Sequence, residues 1–226
     1  MTLLNTADAI YAGSALADKV YLAGTQVWPA GVYATFDAAS VASVTLSGGD
    51  LVATNTGTTS TNQGVRVASA ASKVIGKHYF EATWTALAAG GNFAVGIGTT
   101  TSTYTNMGNS ATVGTTIRRS GDILWNGGSV GTSLGAFSAG QVVSIAIDFN
   151  ALRIWFRRAP FGSWNNDVAA NPVTGAGWIA ISAGAQVPFC VFGGTSGSVG
   201  NVLTANFGAS AFTGVVPSGF TPGWLA

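Results

Sequence analysis

The side chains able to do chemistry in this sequence are few: one histidine (His78), one cysteine (Cys190) and one glutamate (Glu81) in 226 residues. A Ser-His-Asp triad would have to use His78, and no Gly-x-Ser-x-Gly turn leads into a helix. A metal centre needs several His, Cys, Asp or Glu ligands that converge, whereas His78 and Cys190 lie far apart in the chain. Glycoside hydrolysis needs two carboxylates facing each other across a sugar. Glu81 sits within a predicted strand, and Asp50, Asp122, Asp148 and Asp167 lie in turn-like settings near Gly or Asn. Gly193–Gly200 lacks the Gly-Lys-Ser/Thr of a phosphate loop and reads as a strand connection, as does the turn at Gly90-Gly91. The sequence therefore predicts no enzyme, no metal and no cofactor. His78 is expected at the surface or in a loop, and Cys190 as an inert buried thiol.

Binding is the chemistry that remains. The longest connections, Thr99–Gly114 and Phe161–Gly177, place aromatics among amides and hydroxyls. The candidate ligand-binding residues are Tyr104, Asn106, Arg118, Arg119, Trp125, Asn126, Phe161, Trp164, Asn165 and Asn166, with Arg157 and Arg158 nearby in sequence. Aromatic faces suit the apolar faces of sugar rings while Asn and Arg pair with hydroxyls, and the same set suits a peptide hot spot. Trp125 and Trp164 could equally plug the ends of the fold.

These residues must be held by strands. In Gln141–Arg157 the residues Val143, Ile145, Ile147 and Phe149 alternate with Val142, Ser144, Ala146 and Asp148; beyond a turn at Asn150–Ala151, Leu152, Ile154 and Phe156 continue the alternation. Period-two patterning around a polar turn predicts a β-hairpin with one face buried, and Asp148 is expected to cap that turn. Further strands are predicted at Ser43–Leu46, Leu51–Thr54, Val65–Val67, Tyr79–Leu87, Phe93–Gly98, Thr116–Arg119, Ile123–Trp125, Trp178–Ser182, Pro188–Phe192 and Val202–Phe207. Only Asp37–Val44 and Ala68–Val74 carry a trace of helical period. Many short strands punctuated by turns imply an all-β sandwich or barrel. Residues 1–29 read as a separate docking segment with a small hairpin about Ala23–Gln26, and residues 30–226 as the main domain. A hairpin that small must dock on the domain, a sister chain or an assembly, so a homo-oligomer is expected.

Composition narrows the partners. Charged residues are only 8%, and the net charge of +1 gives no electrostatic case for nucleic acid. The N-terminus lacks a basic leader and a membrane-length apolar run, so neither a signal peptide nor membrane insertion is expected.

The ordered motifs of the main domain resemble the SPRY (B30.2-like) domain family. Gly76-Lys-His-Tyr-Phe-Glu81 is similar to its G-x-x-Y-x-E strand, and Phe93–Gly98 to its V-G-I strand. Gly140–Asp148 resembles its G-D-x-I-G-V-x-x-D strand, with Gln141 and Ser144 in place of Asp and Gly; Leu152–Phe156 fits the partner strand, though Arg157-Arg158-Ala159-Pro160 replaces the usual N-G. Val187–Phe192 resembles the P-x-V/F strand, and Asn206-Phe-Gly208, Phe212 and Pro217-Ser-Gly-Phe220 the closing N-F-G…F…P-x-G-F. The resemblance implies a SPRY-like antiparallel β-sandwich with a binding surface made by loops at one end, and a structural role for Glu81. Ile10–Gly13 and Lys19–Pro29 resemble short segments of tailed-phage and prophage virion proteins, in tail-fibre or spike settings. That implies a virion component recognising a host surface glycan or protein, anchored through residues 1–29 to other virion proteins. A purely structural assembly role and an intracellular peptide adaptor are the alternatives.

Overall fold

The computed structural model describes residues 32–58, 63–88, 93–101, 104, 114–193 and 198–226, with the backbone of four short strands nearer the N-terminus. Those four form two antiparallel pairs, β1 (Tyr11–Ala12) with β2 (Ala15–Leu16) and β3 (Val20–Leu22) with β4 (Thr25–Trp28). The second pair lies where the sequence predicts a small hairpin. The main strands are β5 (Val44–Ser47), β6 (Val52–Asn55), β7 (Gln63–Arg66), β8 (Lys77–Ala86), β9 (Phe93–Thr99), β10 (Gly114–Arg118) and β11 (Asp122–Trp125). They continue with β12 (Gly128–Ser133), β13 (Val142–Asp148), β14 (Arg153–Arg158), β15 (Ile179–Ala180), β16 (Gln186–Phe192), β17 (Val202–Asn206) and β18 (Thr221–Pro222). Weak helical period yields only single 3-10 turns, at Ala38–Ser40 and Ser69–Ala71.

A six-stranded antiparallel sheet, in the order β12-β11-β10-β9-β16-β7, faces an eight-stranded one, β15-β14-β13-β8-β17-β6-β5 with β18 set parallel to β8. Alternation explains the core between them. Phe80, Ala82 and Trp84 of β8, Val143, Ile145 and Ile147 of β13, and Ile154 and Phe156 of β14 meet Val95, Ile97, Ile117, Ile123 and Cys190. Cys190 is fully buried, and desolvation raises its thiol pKa well above the usual range.

The hairpin β13–β14 differs from expectation in two ways. Leu152 adopts φ 54° in the turn and is 39% exposed, so the left-handed position the turn requires removes it from the buried row. Both faces of the hairpin are buried, not one. The outward residues Tyr79, Ala146 and Trp155 form a second apolar cluster with Ala170 and Phe220, against which Trp164, Phe212 and Val216 pack. The chain just after β14, 159–178, and the distant segment 208–222 cover the outer sheet face, and the second of these is a non-local effect that local alternation does not encode.

Glu81 fastens that cover. Its carboxylate, 2% exposed, accepts from the Tyr79 hydroxyl (2.5 Å), the Ser144 hydroxyl (3.2 Å), and the backbone N–H groups of Thr213 (2.8 Å) and Gly214 (2.7 Å). Burial, then the bond to Glu81, pushes the Tyr79 phenol pKa well up, so it stays a donor. A Cβ at Gly214 would stand 2.6 Å from Ser144 Oγ and 2.9 Å from Tyr79 Oη, which is why glycine closes this contact. Asp148 caps the hairpin turn, accepting from Ala151 N (3.1 Å), and pairs with Lys77 at 3.4 Å.

His78 is not the surface or loop histidine the sequence suggests. It lies on β8, half-buried, with its ring 5.5 Å from that of Trp224 and 5.9 Å from that of Phe149, one nitrogen 3.2 Å from Ile75 O, and Nδ1 buried without a partner. Desolvation lowers its pKa, the Ile75 carbonyl opposes this, and nearby Lys73 lowers it further. Lys77, Asp148 and Arg153 are the charged groups at the adjacent strand ends. The native state thus favours neutral imidazole. Stability is full above the unfolded value near 6.5 and is lost as pH falls from there toward the folded pKa, by at most about 1.4 kcal/mol per pH unit and less with solvent screening. Urea melts at pH 7 and pH 5 are expected to show this loss in the native protein and a smaller one in His78→Gln; equal losses would refute it.

Candidate functional site

Strand register divides the rim of the sandwich into two ends. At one end lie Lys77, Asp148 and Arg153 of the larger sheet with Thr99, Gly114, Trp125 and Gln186 of the smaller. At the other lie Ala86, Val142 and Arg158 with Phe93, Arg118 and Asp122. Thr115 Oγ1 donating to Ala180 O (2.8 Å) joins the sheets near the first end, and Trp84 against Phe93 joins them near the second.

The predicted residues do not gather in one place. Trp125 and Asn126 occupy the first end, in the tight β11–β12 turn where Asn126 has φ 47°. Trp125 is 43% exposed. Asn126 Oδ1 accepts from Gly114 N (3.3 Å) and Ser182 Oγ (3.3 Å), fixing the turn against the β15–β16 connection. Trp164, Asn165 and Asn166 form a short turn beside β14. Asn165 is buried and its amide serves the fold, accepting from Phe156 N (2.8 Å) and donating to Gly177 O (2.7 Å). Trp164 is half-buried with the Arg157 guanidinium 4.4 Å over its ring. Asn166, exposed, has φ 54°. Arg118 and Arg119 stand at the second end, and Phe161, 95% exposed, follows β14 there. Arg158 is structural at that end: it donates to Gln141 Oε1 (2.6 Å) and to the carbonyls of Leu134, Gly135 and Ala136, and covers the Phe137 ring.

Tyr104 is held on the outer face of the smaller sheet, against Phe189 and Val191, with its hydroxyl donating to Ser40 O. It borders a cleft of about 400 Å³ lined also by Asp37, Ser40, Arg66 and Thr101. Asn106, and most of the Thr99–Gly114 connection that carries it, lie outside the described residues, as do Gly90-Gly91 and part of Gly193–Gly200.

Trp178 is a surface residue that sequence reasoning placed inside a strand. It precedes β15, is 49% exposed, and has the Arg153 guanidinium 5.2 Å over its ring. Trp178 and the Trp125–Asn126 turn therefore flank one short segment, 179–182, with the Asn165 bond to Gly177 at its start. The aromatic followed by Ile-Ala-Ile-Ser concealed this, because a strand pattern starting at Trp178 reads it as one of two alternating faces. Among the described residues, no three His, Cys, Asp or Glu side chains come together as a metal ion would require.

With this geometry in hand, the architecture defines a class: a SPRY-like antiparallel β-sandwich. The sequence profile of the SPRY domain matches residues 77–176, which run from β8 through the segment covering β14. The SPRY domain of human HERC1 superposes with a TM-score of 0.60 at 14% identity, covering 76% of this chain and 96% of that one. The PSpry domain of TRIM65 gives a TM-score of 0.50 at 17% identity, covering 76% of this chain and 91% of that one. No curated protein matches the chain in sequence.

Proposed function

We propose that this chain is a non-catalytic binding module whose recognition surface is the rim around residues 125–126 and 178–182. The observation that carries the reading is the pair of half-exposed tryptophans, Trp125 and Trp178, flanking one rigid segment. Large aromatic faces beside fixed amides and hydroxyls are what a binding surface needs, whether for sugar rings or for a protein hot spot. Among the described residues the most deeply placed acidic side chain, Glu81, is committed to holding the fold. The SPRY match over residues 77–176 supports interaction over turnover.

The setting we favour is a phage or prophage-type particle, in a fibre, spike or decoration position, assembled in the host cytoplasm and acting outside it on a host surface component such as a glycan. Residues 1–29 would anchor the domain to sister chains or other virion proteins; their paired short strands and the charge-poor composition are compatible with that role. Binding of the full chain to bacterial cells and to a glycan array is expected to fall at least tenfold in Trp125→Ala and Trp178→Ala with the melting temperature nearly kept. Full binding by both variants would overturn the rim assignment. A chain that binds no cell, yet co-assembles with particle proteins through residues 1–29, would point to the purely structural role.

A further inference from the structure

We infer that the short hairpin β3–β4 docks on its own domain, over an apolar patch formed by Val32, Val74, Ile75 and Leu225. Val32 is 76% exposed, Ile75 70%, Val74 55% and Leu225 37%. These residues are not scattered. Ala226 N donates to Val32 O (2.8 Å), Tyr33 bridges Leu225, and Lys73 Nζ donates to Leu225 O (2.9 Å), which ties residues 73–75 to 225–226 and to 32–33. Contiguous exposed apolar surface marks a contact site, whereas single exposed side chains do not. Lys73 is spent on the Leu225 carbonyl and Lys77 on Asp148 (3.4 Å), so neither brings an uncommitted charge to the patch.

Position, chemistry and size choose the occupant. Val32 belongs to the patch and follows closely on Trp28, the end of β4, with only Pro29, Ala30 and Gly31 between them. Four extended peptide steps reach about 14 Å, so this tether holds the hairpin at the edge of the patch and keeps its effective concentration there high. The stretch Val20–Trp28 has no charged side chain, and it carries Val20, Tyr21, Leu22, Val27 and Trp28. An uncharged hairpin can cover an apolar patch without stranding an ion. β3 has three residues and β4 four, and a two-stranded hairpin that short is marginal in water unless it packs on something. The patch lies where its tether ends. Docking leaves residues 1–19 for the sister chains or particle proteins proposed above. It uses none of residues 125–126 or 178–182, so it stands apart from the rim reading.

The test is paramagnetic relaxation measured by NMR on the full chain. A nitroxide is attached at Ala23→Cys, in the β3–β4 turn, while the buried Cys190 stays unlabelled. The amides of Lys73, Val74, Ile75 and Leu225 are expected to broaden strongly. Ile75→Asp and, independently, Val74→Asp should each cut that broadening at least threefold, with the rest of the spectrum showing the domain intact. Trp125→Ala and Val215→Asp, on other surfaces, should leave it unchanged. A mixture of spin-labelled unenriched protein with unlabelled isotope-enriched protein should broaden none of these amides. Absent broadening at residues 73–75 would overturn the proposal by placing the hairpin elsewhere. Broadening that survives both aspartate variants would do so by showing that the hairpin only passes the patch on its tether. Broadening in the mixed sample would give the patch to a sister chain's hairpin and overturn docking within one chain.

Discussion

Replacing Glu81 by alanine is expected to remove about 4 kcal/mol of stability and to release the segment around Thr213–Gly214 to proteolysis. Four donors converge on this carboxylate: Tyr79, Ser144, Thr213 and Gly214. Each hydrogen bond to a charged group contributes roughly 1.5–3 kcal/mol, and each buried donor left unpaired costs roughly 1–3 kcal/mol. These terms overlap, so the net lies near the upper range of single substitutions. Glu81→Gln should recover only part of the loss, because its amide NH₂ would face the Thr213 or Gly214 N–H, donor against donor. For a domain of this size, about 4 kcal/mol corresponds to a melting temperature lower by about 8–16 °C. Calorimetry of both variants checks this, with limited proteolysis reading the 208–222 segment. A loss under about 1 kcal/mol in Glu81→Ala would mean the segment is held by the packing of Phe212 and Phe220 instead.

The same site shows how far the sequence could be read. The inward rows of β8, β13 and β14 are legible because each is a local alternation with period two, and their register follows. Strand β12, Gly-Ser-Val-Gly-Thr-Ser, carries no such signal: it is an edge strand with no buried residue, so nothing forces apolar residues onto one face. The outer cluster of Tyr79, Trp155 and Phe220 is equally hidden, since Phe212, Val216 and Phe220 come from a segment far beyond β14 and the nearer Trp164 and Ala170 lie outside any strand. Candidate site residues fared according to the same logic. Type and neighbourhood left Trp125 open between a surface aromatic and an end plug, and only the fold shows that it is 43% exposed and that Asn165 is spent on the backbone of Phe156 and Gly177. Neither can sequence spacing reveal that Phe161 and Trp125 stand at opposite ends, because that depends on which way each strand runs.

Trp224→Ala is expected to cost about as much as the Glu81 change, by a different mechanism that also alters the response to acid. Trp224 is fully buried two residues before Ala226, where it ties several segments together. Its indole Nε1 donates to Ala71 O (2.9 Å), its backbone N–H to Phe207 O (2.7 Å), and its carbonyl accepts from Ala34 N (2.8 Å). Its ring lies 5.9 Å from those of Phe80 and Phe149, closing that end of the core. Truncating a buried tryptophan leaves a cavity and loses transfer free energy, together about 3–5 kcal/mol. The cavity would adjoin His78, whose ring is 5.5 Å from that of Trp224. Water entering there would remove much of the desolvation that now lowers the histidine's pKa. The variant should therefore be less stable at pH 7 yet lose less additional stability on going to pH 5 than the native protein does. Trp224→Phe, which keeps most of the ring, should fall between the two on both measures. If Trp224→Ala kept the full acid sensitivity while losing stability, the coupling between this tryptophan and His78 would be wrong, and the buried, unpartnered Nδ1 would owe its shielding to Phe149 alone.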